Sequence, residues 1–162
     1  MNHAVLWVRD ASVSTDFYVD VLGFRVVHRT ARAAFLQAPE SANDHDLGLF
    51  EVGPQAGLST AGTGQVGLYH VAWEVPTLAD LRHYQERLSE AGALVGSADH
   101  GTTKGLYAKD PDGLEFEVCW LVPADLVDDD ARNRRGELDL DADIARYGAD
   151  TVGACARVGT PG

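Results

Sequence analysis

Two stretches of the sequence, HAVLWV at residues 3–8 and HVAWEV at residues 70–75, open segments that carry the same signals in the same order. Each is a short apolar run begun by a histidine, long enough for one strand. A helix is expected after each. The first covers about 12–22, with Val13, Phe17 and Val21 spaced four apart and Gly23 placed to stop it. The second is marked by Thr77 and Asp80 as a capping box, by Leu81, Tyr84 and Leu88 as an apolar stripe, and by Gly92 at its end. Three short strands then return in each copy, at about 24–30, 33–37 and 46–52 in the first and 94–98, 105–109 and 114–120 in the second. The copies close on similar words, LFEV ending at Val52 and EFEV ending at Val118. The chain is therefore expected to be α+β, a βαβββ unit used twice and paired in one domain.

The repeat occupies about 1–122 of 162 residues: module 1 at about 1–52, an exposed linker at 53–67 rich in Gly, Ser, Thr and Gln, and module 2 at about 68–122. Length and an apolar content of 45% suit one domain with its own core. Residues 123–162 read as an acidic appendage. Its run DDDARNRRGELDLDADIARYGAD supports either strand-like alternation or a helical stripe of Leu140, Ile144 and Tyr147, and the segment is expected to be solvated. Lys and Arg number 13 against 25 Asp and Glu, a net charge of −12. Phosphate backbones and anionic lipid are repelled by such a chain, so the expected partners are small molecules or protein, with no nucleic acid and no membrane. The apolar run Ala4–Val8 is too short for a signal-peptide core or a membrane span, and Cys119 and Cys155 form no CxxC or metal pattern. A cytoplasmic protein with buried or idle thiols is expected. Edge strands and paired modules make a homodimer the expected assembly.

Side chains alternate across a strand, so His70, Ala72 and Glu74 share one face while Val71, Trp73 and Val75 share the other. Glu115, Glu117 and Cys119 likewise oppose Leu114, Phe116, Val118 and Trp120. With a helix on the apolar side of each sheet, the other side is expected to carry His3, His70, Glu51 and Glu117, Glu51 being the counterpart of Glu117 in the repeat. Trp7 and Trp73 are expected in the core. Two imidazoles and two carboxylates at matching places compose a divalent-metal site, and neutral imidazole suits Fe, Ni and Zn.

The doubled βαβββ module, the histidine opening each copy and the turn DPDG at 110–113 before Glu117 resemble the vicinal oxygen chelate superfamily. That superfamily includes glyoxalases, epimerases, antibiotic-resistance proteins and extradiol ring-cleaving dioxygenases. The resemblance covers 1–122. Within it, HGTTKGLYAKDPDGLEFE at 100–117 is similar to the signature of type I extradiol dioxygenases: a histidine, a tyrosine, the turn and a carboxylate. HDLGLF at 45–50 is similar to the segment holding that family's second-sphere histidine. The resemblance implies His3, His70 and Glu117 as ligands of Fe(II), with Mn as an alternative, and open positions for a catechol-type aromatic diol and dioxygen. It implies His45 as charge stabiliser and proton donor, and His100 and Tyr107 as hydrogen-bond partners of the catecholate. The turn would fold Tyr107 back beside Glu117. The implied reaction opens the ring beside the diol and incorporates both oxygen atoms.

Two other readings stand beside this one. If Glu51 were a fourth ligand, the set of two histidines and two glutamates would resemble the superfamily's isomerases such as glyoxalase I, with Ni or Zn as metal. A metal-free drug-sequestering protein is the third reading, and the ligand histidines argue against it. The isomerase reading leaves His45, His100 and Tyr107 without a role, while His28 and His83 match no motif.

Overall fold

The two βαβββ segments form two four-stranded sheets, each with its own helix, in a computed structural model that describes residues 2–154. The first runs β1 (Ala4–Val8), α1 (Ala11–Leu22), β2 (Arg25–Arg29), β3 (Ala33–Gln37) and β4 (Leu47–Glu51). The second runs β5 (Val71–Glu74), α2 (Leu78–Glu90), β6 (Leu94–Asp99), β7 (Thr103–Lys109) and β8 (Glu115–Leu121), and α3 (Leu140–Tyr147) follows. Strand orders β1-β4-β3-β2 and β5-β8-β7-β6 are the same arrangement used twice. In each sheet the strand before the helix pairs in parallel with the last strand. The α+β class and the doubled module read from the sequence are thus the architecture the chain adopts. The chain divides into unit 1, up to Tyr69 together with Lys109–Leu114, and unit 2, His70–Ala108 together with the chain from Glu115 onward.

In unit 1, Asp10 caps α1 by accepting from the Ser12 and Val13 amides at 2.8 and 3.1 Å. Gly23 ends the helix in the left-handed conformation, φ 72°, which glycine adopts without steric cost. The buried face consists of Ala11, Ser14, Thr15, Tyr18, Val21 and Leu22. That corrects the expected stripe, since Val13 is exposed and Phe17 only partly covered. Small Ser14 and Thr15 let the helix approach the sheet, and Tyr18 reaches inward to Asp110 Oδ2 at 3.4 Å. Burial, with the Asp110 carboxylate beside it, lifts the Tyr18 phenol well above its ordinary pKa. Burial also raises Asp110, against the opposing pull of the Leu114 and Asp112 amides. Those amides each donate to Asp110 Oδ1 at 2.9 Å and shape the 110–113 turn, which Arg9 secures through Asp112 at 2.8 Å (backbone N) and 2.6 Å (Nε). Trp7, expected in the core, is 70% exposed. The α1 side of β1 takes the other parity, ending in the fully buried Val8, and a run apolar on both faces does not reveal which parity the helix covers.

In unit 2, the expected capping box is present: Thr77 Oγ1 accepts from the Asp80 amide and Asp80 Oδ2 from the Thr77 amide, both at 3.1 Å. Leu78, Leu81 and Leu88 are buried, as are Phe116, Val118 and Trp120 of β8. Trp73 is half-buried. The described part of the 123–162 segment, up to residue 154, is not wholly the solvated appendage the charge pattern suggests. Of its two open readings the helical one forms, as α3, which lies beside α2 with Leu140 and Asp143 buried. Two residues of the sheet require this cover. The Trp120 indole donates to the Thr151 carbonyl at 3.1 Å, and the buried Lys104 ammonium lies 3.0 Å from Asp143. Cys119 is buried, while Cys155 lies outside the described residues. The 53–67 linker is largely exposed. No helix among the described residues is long and apolar enough to cross a membrane.

Candidate metal and diol site

Strand register decides which side chains can serve a site. In the first sheet Val5 lies opposite Gly48 and Val8 opposite Glu51; in the second, Ala72 lies opposite Glu117. His3 and His70 each directly precede their strand, so Val5 corresponds to Ala72 and Gly48, not Glu51, corresponds to Glu117. Glu51 sits farther along β4 and belongs to the α1 side. Its Oε2 accepts from the Ala11 amide at 3.4 Å, and its Oε1 is 3.5 Å from Arg32 Nε. The expectation that Glu51 faces the site beside Glu117 is therefore corrected. The match of LFEV to EFEV aligns words, whereas pairing follows the burial of Leu47 and Leu49 against the helix side.

Unit 2 assembles four of the expected residues. His70 Nε2 stands 3.3 Å from Glu117 Oε2. Two donors sharing one metal through bonds of about 2.1 Å at a right angle lie about 3 Å apart, so the pair fits a common ion. Glu117 is buried, and Gly105 makes room for it: a Cβ at Gly105 would fall 2.3 Å from Glu117 Oε1. Tyr107, two positions on along β7, has its ring centroid 5.7 Å from that of His70. The Tyr107 hydroxyl shares a 2.8 Å hydrogen bond with His100 Nε2. Glu117, His70, Tyr107 and His100 thus form one continuous row.

Unit 1 brings His3 and His45 together, their ring centroids 4.7 Å apart, with Phe35 5.2 Å from His45. His3 is exposed, and its Nδ1 is 2.8 Å from Asn2 Oδ1. An amide oxygen there keeps the proton on Nδ1 and leaves Nε2 as a lone-pair donor. Asp44 orients His45 in the same way, 2.9 Å from its Nδ1. The loop carrying His45 is held by buried Asp46, which accepts from Ala38 N at 2.8 Å, Ser41 Oγ at 2.9 Å and Asn43 Nδ2 at 2.6 Å. Sequence reading singled out neither Asn2, Asp46 nor Gly105. Of these, Gly105 left a signal, since a glycine inside a strand marks a close approach. His28 and His83 are exposed. Within each unit, no group of three His, Cys, Asp or Glu side chains among the described residues gathers as a metal site; unit 2 contributes His70 and Glu117, and His3 belongs to unit 1. An imidazole and a carboxylate, cradled by a glycine, are a donor set that first-row divalent metals accept.

Over 119 residues the chain is 37% identical to biphenyl-2,3-diol 1,2-dioxygenase 3 of Rhodococcus globerulus, a match covering 73% of this chain and 61% of that protein. Over 118 residues it is 34% identical to catechol-2,3-dioxygenase of Bacillus subtilis (strain 168), covering 73% of this chain and 40% of that one. The chain thus spans less than two thirds of the length of either relative. Among solved structures, a glyoxylase/bleomycin resistance protein/dioxygenase domain from Frankia sp. EAN1pec superposes with a TM-score of 0.61 at 23% identity, covering 76% of this chain and 93% of that one. A lactoylglutathione lyase from Agrobacterium tumefaciens gives 0.55 at 20% identity, covering 74% and 91%. These two likenesses concern the fold. The family model matching residues 1–118 is described as the Glyoxalase/Bleomycin resistance protein/Dioxygenase superfamily, and the chain belongs to that superfamily.

Proposed function

We propose that the protein is a metal-dependent extradiol dioxygenase that opens a catechol-type aromatic diol. The observation that carries this reading is the row Glu117, His70, Tyr107, His100 in one unit, a metal-type donor pair followed directly by a hydrogen-bonded phenol and imidazole. The names of the two dioxygenase relatives support it. The proposed ligands are His3, His70 and Glu117, with Fe(II) as the metal and Mn as the alternative. When bound, the metal would supply Lewis-acid activation of the diol and a redox centre for dioxygen.

The chain's own residues do the rest. Glu117 offsets the cation's charge from a position that Gly105 keeps clear. His100 and Tyr107, coupled across 2.8 Å, take the proton that a catechol hydroxyl releases and hydrogen-bond the diolate oxygen. His45, oriented by Asp44, is the proposed proton donor and charge stabiliser near oxygen. Gly48 at the register position of Glu117 supports a three-ligand set over the isomerase set of four. A homodimer is the proposed assembly, with the diol and dioxygen as the small-molecule partners.

Anaerobic loading with Fe(II), addition of a panel of catechols and admission of air test the reading. A coloured ring-fission product with matching oxygen uptake is expected. Loaded protein that consumes no oxygen with any catechol, yet isomerises a hemithioacetal with Ni or Zn, would overturn it.

A further inference from the structure

Residues 131–143 lie beyond the 1–118 matched by the superfamily, yet their contacts converge on the turn that carries His100. Asp99 and Gly136 exchange backbone hydrogen bonds in both directions, 2.9 and 3.0 Å. Arg135 Nη1 donates to the His100 carbonyl at 3.2 Å. Gly101, at φ +76°, lies so close to this segment that a Cβ on it would fall 1.7 Å from the Ala131 carbonyl oxygen. The Lys104 ammonium, 1% exposed, binds Asp99 Oδ1 at 2.7 Å and Asp143 Oδ1 at 3.0 Å, tying α3 to the residue before His100. Asp99 Oδ1 also accepts from the Gly101 amide at 2.6 Å.

We propose that the Ala131–Asp143 segment is a positioning clamp for His100, with Gly101, Lys104, Arg135 and Asp143 as its contact residues. This rests on the reading above, in which His100 and Tyr107 hold the diol. Parity explains the division of labour along β7. Lys104 points to the α3 side, while Gly105 and Tyr107 serve the Glu117 and His70 side. The strand therefore carries the clamp on one face and the diol contacts on the other. A buried ammonium between two carboxylates has few alternative arrangements, because breaking one pair leaves a buried charge uncompensated. It therefore fixes the turn more firmly than exposed contacts would, and a catalytic hydrogen bond displaced by about 1 Å can cost about 10²-fold in rate.

Gly101→Ala and the milder, exposed-site Arg135→Ala test this in the full chain. Metal affinity, read by Mn(II) titration, should stay at the parent value, because His70 and Glu117 are untouched. The His100 ring resonances in a long-range ¹⁵N–¹H spectrum of metal-free protein should shift, with those of exposed His83 unmoved as the internal control. With loaded enzyme, KM for the catechol should rise about tenfold or more while oxygen uptake stays coupled to product. Folded variants with unchanged His100 resonances and unchanged KM would overturn the clamp. Because the spectrum is read without turnover, parent protein that cleaves no catechol would remove the dioxygenase reading, and the His100 resonances would still decide the clamp.

Discussion

Gly48 occupies in the first sheet the register position that Glu117 occupies in the second, opposite the strand residue two beyond the opening histidine. One sheet therefore presents a buried carboxylate next to a histidine, and the other presents a glycine. A doubled fold has been made asymmetric at the position where a ligand would stand. Glu51 instead accepts a hydrogen bond at the start of α1.

Glu117→Ala is expected to weaken Mn(II) or Fe(II) binding by more than about 100-fold, beyond the 10–100-fold typical of losing an outer-shell partner. Glu51→Gln should leave metal affinity unchanged and instead cost about 0.3–1 kcal/mol, through the lost negative charge at the α1 N-terminus. Calorimetric metal titration and urea unfolding of both variants check this. Equal metal loss in the two would contradict the three-ligand set.

Gly105→Ala isolates the cradle. The added methyl would meet Glu117 Oε1 at 2.3 Å, so the carboxylate must shift. Metal affinity should fall at least about tenfold while unfolding stays cooperative, since small-to-large changes in a packed strand typically cost about 1–3 kcal/mol. Parent-like affinity would show that Glu117 does not hold its place as a ligand.

His45→Ala is expected to retain metal and lose about 10²–10⁴-fold in turnover, the range for a positioned acid or base. His100→Phe and Tyr107→Phe each remove one partner of the 2.8 Å hydrogen bond and should chiefly raise KM for the diol. Stopped-flow mixing of anaerobic enzyme and diol with oxygenated buffer separates the two effects. Unchanged constants in all three variants would detach the signature from the chemistry.

Asp128 gives a pH-dependent contribution with a defined sign. Hydrogen bonds from Arg134 and then Arg146 hold its carboxyl at about 2, below the ordinary aspartate value of 3.8. The folded pKa is depressed, so its stabilising contribution is present above about pH 4 and is lost as pH falls towards 2. The carboxylate is at the surface, so the effect is small and screened by salt. In urea unfolding, Asp128→Asn should be less stable than the parent at pH 7, with most of that gap closed at about pH 2 and the gap at pH 7 narrowed in about 1 M NaCl.

Caps, strand alternation and the repeated order of elements are interactions among residues a few positions apart, so the sequence by itself determined the doubled βαβββ unit, the Thr77–Asp80 capping box and the shared face of His70 and Glu117. It also placed His100 and Tyr107 in one motif, which the structure joins by a hydrogen bond. Tertiary structure decided the rest. The β1–β4 register depends on which residues of a distant strand are buried, so the likeness of LFEV to EFEV misled and Gly48 took the position assigned to Glu51. The face of α1 followed the small Ser14 and Thr15 and the inward Tyr18, not the larger Val13 and Phe17, because close packing against a sheet rewards fit as well as hydrophobicity. The acidic tail, whose charges read as solvated, supplies Asp143 to buried Lys104 and the Thr151 carbonyl to Trp120, because a buried ammonium and indole require polar partners wherever in the chain these are found.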